Sequence, residues 1–153
     1  MALQRIWSEN VAFLDGQLHL SGISASELAR EFGTPTFFLD EAAFKARAIA
    51  WRDGLMKEFG AQAGHVFYAS KAFTCTAVAH WIAQLGIGID VCTGGELAVA
   101  LAGGVDPSKI QVHGNNKSLA EIDRAVSIGV NTIVIDSLFE IDRVAEAAKR
   151  YGK

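Results

Sequence analysis

At 153 residues, half of them hydrophobic and a fifth charged, the chain is long enough for one ordinary domain and too apolar for a disordered tail. A net charge of −3 argues against a nucleic-acid partner, and no run approaches the roughly 20 apolar residues of a membrane span. Cys75 and Cys92 form no CxxC pair, so neither a disulfide framework nor a metal site is expected, and a reducing cytoplasm is the default compartment.

Residues 1–33 read as an arm. Val11 to Leu20 alternates loosely around Asp15-Gly16, a hairpin signal, and Ser24 or Ser26 caps a short helix over 27–32 that Gly33 stops. Thr36 to Leu39 reads as a compact strand after Pro35. Asp40 caps the next helix, 41–59, whose apolar residues recur at helical spacing. A strand-helix unit then repeats. Strands are expected at 65–70, 87–89, 110–112 and 132–135, and helices at 73–85, 95–102, 119–128 and 139–149. The strands end at Lys71, Asp90, His113 and Asp136, which lie 19, 23 and 23 residues apart. That is the rhythm of short βα units, and it predicts consecutive parallel strands joined by right-handed crossovers. The mean hydropathy of +0.23 suits strands buried on both faces. A doubly wound open sheet gives the same rhythm. Polar residues at every strand end favour a (β/α)8 barrel, whose chemistry sits on that face. A full barrel needs about 250 residues, so residues 34–153 are expected to hold about its first half, as part of a longer protein.

Four groups on that face carry chemistry. Lys71 follows an apolar strand directly, and a lysine held there is freed to form an imine with an aldehyde; a solvated loop lysine is the plain alternative. Asp90, at the end of the next strand, is placed to favour a protonated nitrogen nearby, although a carboxylate also ends strands without function. Glu96 follows Cys92-Thr93-Gly94-Gly95, where glycines admit a ligand and the helix N-terminus favours anions; acids are favoured in a helix first turn in any case. His113 opens the densest polar cluster, His113-Gly114-Asn115-Asn116-Lys117-Ser118. Ser118 with Glu121, and Ser137 with Glu140, both fit capping boxes. His19, His65 and His80 lack partners at metal-ligand spacing.

Val66-Phe67-Tyr68-Ala69-Ser70-Lys71-Ala72-Phe73 resembles the cofactor-lysine motif of the fold type III pyridoxal-phosphate decarboxylases. Gly88-Ile89-Asp90-Val91-Cys92-Thr93-Gly94-Gly95-Glu96-Leu97 is similar to that family's second motif. The His113 to Ser118 loop resembles the form found in the branch acting on meso-diaminopimelate, and Thr34-Pro35-Thr36-Phe37-Phe38-Leu39-Asp40-Glu41 fits the start of the barrel. The resemblance covers about residues 30–145. It implies an enzyme, a carbon-carbon lyase, in which Lys71 carries pyridoxal 5'-phosphate and Asp90, Glu96 and His113 contact the cofactor. It further implies decarboxylation of meso-diaminopimelate to L-lysine, a homodimer, and an arm that packs on a C-terminal β domain outside this sequence. The phosphate loop, the acid at the pyridine nitrogen and the catalytic cysteine also fall outside it. This stretch alone is therefore expected to be inactive.

Overall fold

The computed structural model describes residues 7–60 and 64–153. They form two compact units that divide between residues 47 and 48, within one helix.

The first unit opens with an antiparallel sheet of β1 (Val11–Leu14), β2 (Gln17–Leu20) and β3 (Ile23–Ser24). Asp15 and Gly16 both take positive φ, 49° and 74°, the conformation a two-residue turn needs to match strand twist. A second such turn, Ser21-Gly22, adds β3, which the sequence reading does not contain. Ser there lacks the Asn-Gly or Asp-Gly signature. Of the two candidate serines, Ser24 is the cap of α1 (Ala25–Phe32): its hydroxyl accepts from the Glu27 N–H at 3.1 Å. Gly33, at φ 79°, ends the helix. Thr36 to Leu39, expected as a strand, forms no ladder. Apolar composition favours a strand, but a neighbouring strand's hydrogen bonds make one. Asp40 caps α2 (Glu41–Phe59) as expected, accepting from the Ala43 N–H at 2.7 Å.

The second unit holds β4 (Phe67–Ala69), β5 (Gly88–Val91), β6 (Ile110–Val112) and β7 (Thr132–Ile133). They run parallel in the order β4-β5-β6-β7. This unbroken sequential order is the arc of a barrel; a doubly wound sheet reverses direction at a switch point. Helices α3 (Thr76–Leu85), α4 (Gly94–Ala102), α5 (Leu119–Ile128) and α6 (Leu138–Tyr151) follow the strands in turn. All four residues of β5, an internal strand, are buried. Its Ile89 and Val91 are fully buried, as are Val78, Ile82, Leu97 and Ile110, while Ile122 packs in a separate cluster with Val126 and Ala147. Each such side chain contributes about 1.5–3 kcal/mol by leaving water.

Helix α3 starts three residues later than expected. Ser70–Ala72 makes one 3-10 turn, and Phe73 and Cys75 are extended, with φ of −172° and −154°. The Tyr68 hydroxyl donates to the Phe73 carbonyl at 2.7 Å, which holds this kinked connection. Two glycines set the packing distances. A Cβ on Gly88 would lie 2.4 Å from the Phe67 ring. One on Gly103 would lie 2.4 Å from the Ala79 Cβ and 2.9 Å from backbone in α3. Gly103→Ala is therefore expected to cost about 1–3 kcal/mol by overpacking, read as a lower urea midpoint with an unchanged slope.

Candidate active site

The carboxyl ends of β4 to β7 bring the polar residues to one rim. Strand pairing sets Ala69 beside Asp90 and Asp90 beside Gln111. Lys71 stands two residues past the β4 end of that row, in the 3-10 turn, with its side chain exposed. Its neighbours are unusual: the hydroxyls of Ser70 and Thr74 are buried and have no hydrogen-bond partner. Buried hydroxyls are normally satisfied, and orphaned ones mark strain or a site that a ligand or water completes.

Asp90 is 9% exposed. One of its oxygens accepts from the Gln111 side-chain amide at 3.3 Å, and the other lies 3.6 Å from His113 Nδ1. A protonated imidazole there gains an ion pair. Backbone bonds fix the register of the imidazole: the His113 N–H donates to the Val91 carbonyl at 2.8 Å. Glu96 caps backwards, accepting from the Cys92 N–H at 2.5 Å, while Thr93 caps α4 through the Glu96 N–H. Burial pushes the Cys92 thiol up, and the Glu96 and Asp90 charges add to that; Lys71 and Lys117 pull the other way. All four charges act on this thiol, which directly follows β5. The sequence-predicted Lys71, Asp90, Glu96 and His113 all stand on this rim, and Asn115 and Asn116 are exposed beside it.

The sequence reading missed the most buried charges. Lys117 and Glu140 form an ion pair at 2.9 Å with side chains 1% and 3% exposed. Lys117 Nζ also donates to the Val134 carbonyl at 2.8 Å and to the Gly114 carbonyl. The expected capping box of Ser137 with Glu140 does not form. Ser137 makes no side-chain cap, and the Glu140 carboxylate accepts from the Asp136 N–H at 2.9 Å and from Lys117. The capping motif is a local pattern, and a buried ammonium outcompetes it. The Ser118 and Glu121 box does form, and Glu121 also accepts from the Gly94 N–H at 2.7 Å, tying α4 to α5.

Bonds from the Ser118 and Gly94 N–H groups hold the Glu121 carboxyl below its ordinary range. Burial pushes Glu140 up, but bonds from the Asp136 N–H and Lys117 outweigh it and leave it lowered as well. A depressed carboxyl stabilises the fold fully above its unfolded pKa, and that stability is lost as pH falls through the folded value. The thermal midpoint should therefore hold above about pH 4.5 and fall below it. Glu121→Gln should flatten part of that fall, compared by melting curves between pH 3 and 7.

A cavity of about 360 Å³ opens at the opposite, amino ends of the strands, with Phe67 and Gly88 in its lining. Its two cations are engaged by the end of α3: Arg52 donates to the Leu85 carbonyl and Lys109 to the Gly86 carbonyl. No polar group of the rim lines it. Among the described residues there is no cluster of three metal-binding side chains.

Sequential parallel βα units with a polar rim at their carboxyl ends define a barrel-type enzyme domain. The pyridoxal-dependent decarboxylase family, in its pyridoxal binding domain, matches residues 41–152, and the chain belongs to that family. It is 45% identical over 148 residues to a diaminopimelate decarboxylase of Mycobacterium tuberculosis strain H37Rv, covering 96% of this chain and 32% of that protein. It is 42% identical over 135 residues to a diaminopimelate decarboxylase of Halalkalibacterium halodurans, covering 88% of this chain and 30% of that protein. A crystal structure of diaminopimelate decarboxylase from M. jannaschii with L-lysine superposes with a TM-score of 0.85 at 32% identity, covering 95% of this chain and 34% of that one. The chain thus spans about a third of the length of the relatives it matches.

Proposed function

We propose that the protein carrying this domain decarboxylates meso-diaminopimelate to L-lysine and CO2, with pyridoxal 5'-phosphate held on Lys71. The observation that carries the reading is Lys71 at the end of β4, flanked by the unsatisfied buried hydroxyls of Ser70 and Thr74, with Asp90 on the adjoining strand end. A primary amine beside uncommitted hydroxyls fits an aldehyde cofactor with a phenolic oxygen. The bound cofactor supplies an electron sink for the pair left when the substrate carboxylate departs as CO2.

The residues of the chain do the rest. Lys71 Nζ would hold the cofactor through its amine and, close to the reacting atoms, would hold or deliver a proton. His113 would contact the cofactor, and Asp90, 3.6 Å from its Nδ1, orients that imidazole. Glu96 would serve as a cofactor-side acid, a reading supported by the loop it closes on Cys92. Residues 34–153 serve as the N-terminal half of the barrel and 1–33 as its arm. The named relatives support meso-diaminopimelate, the resemblance extends the reading to a homodimer, and the two free thiols suit a reducing cytoplasm.

The test is CO2 release by the intact gene product. Its kcat/KM for meso-diaminopimelate should exceed that for L-ornithine, L-arginine and L-lysine by at least about a hundredfold, within what pocket contacts achieve. Faster turnover of ornithine or arginine would reassign the substrate. Cofactor binding without CO2 release would make the domain a non-catalytic carrier.

A further inference from the structure

Lys117 and Glu140 are the most buried ion pair among the described residues, and the proposed chemistry does not use them. Taking two charges out of water is costly, and apolar residues of similar volume often serve a core as well or better. A pair kept in such a place invites a search for what else it holds. Here it holds three chain segments. Lys117 Nζ reaches back to the Gly114 carbonyl, across to the Val134 carbonyl past β7, and onto Glu140 in the first turn of α6. Glu140 in turn fixes the Asp136 N–H. Gly114 is the residue after His113. Its φ of 127° excludes most side chains, and a Cβ there would lie 3.1 Å from the Cys92 carbonyl. The loop after β6 is therefore threaded against the loop after β5 and pinned from behind to β7 and α6. His113 sits between the pinned Gly114 and the Val112 strand end, 3.6 Å from Asp90.

We propose that the Lys117–Glu140 pair positions His113, locking the loop after β6 to the end of β7 so that the imidazole stays against Asp90. Both are positioning residues. This deepens the proposed function and rests on its assignment of His113 and Asp90 to the cofactor side.

The discriminating variant is Lys117→Met/Glu140→Leu, which removes both charges and leaves no unpaired one. It should melt within a few degrees of the wild-type protein, because the fold is spared. Its dissociation constant for pyridoxal phosphate should still rise by about tenfold or more, the lower range seen when residues supporting a metal ligand are lost. The His113 ring signal in the cofactor-free protein should move, read by NMR with labelled histidine. Wild-type affinity together with an unmoved His113 signal would overturn the proposal and leave the pair a plain structural contact. If the wild-type protein itself binds no cofactor, the proposed function fails, and the His113 signal alone decides the positioning role. Should the double variant not fold, Glu140→Gln is read for the same two quantities, with the same outcomes.

Discussion

Lys71→Ala will lower decarboxylation by at least roughly 10²–10⁴-fold, the loss that follows removal of a positioned proton-transfer group, with loss of the covalent link added to it. Substrate binding alone does not recover this, because the missing amine acts on the reacting atoms. The fold should not change: Lys71 is exposed and sits in a 3-10 turn, so the expected stability change lies within about 0.5 kcal/mol. A variant that melts normally, binds pyridoxal phosphate only reversibly and is nearly inactive matches the account. A variant with more than about a tenth of wild-type kcat would remove Lys71 from the chemistry.

Lys117→Met is expected to cost about 3–5 kcal/mol, because Glu140 is left buried without the ammonium it pairs with. The Asp136 N–H alone does not replace an ammonium. Urea unfolding should show the midpoint drop. Adding Glu140→Leu should return most of it, a coupling that marks two residues acting as one unit. A loss below about 1 kcal/mol in the single variant would mean that the loops relax enough to wet Glu140, and that the pair holds little.

The alternation of strands and helices in residues 65–153 was legible because each unit carries its own punctuation. Glycine stops helices at Gly86, Gly129 and Gly152, and the Ser118 cap starts one. Sequential strand order was inferable from the near-constant spacing of Lys71, Asp90, His113 and Asp136, which leaves room for one helix between neighbours. Thr36 to Leu39 shows where local reading stops. Its composition is that of a strand, but a ladder depends on a partner that composition cannot name. Helix α3 shows a second limit. Phe73 and Thr74 suit a helix by pattern, yet the Tyr68 hydroxyl bond to the Phe73 carbonyl keeps that stretch extended.

The rim divides in the same way. Lys71, Asp90 and His113 were visible because each stands at or just past the end of a strand, and strand ends share a face. By pattern Glu140 is the capping-box partner of Ser137, and Lys117 is one more residue of the polar loop. Their pairing spans 23 residues and two βα units, and no local motif records it. The one sequence trace is the dense polar cluster from His113 to Ser118, which contains the lysine. Burial rather than spacing revealed its partner.

The most direct test of the central assignment is borohydride reduction of the intact protein with pyridoxal phosphate, followed by peptide mapping. The account predicts a visible absorbance band that reduction abolishes, with the cofactor then fixed on the peptide containing Lys71. A label on any other lysine, or no label from a protein that binds the cofactor, would contradict it.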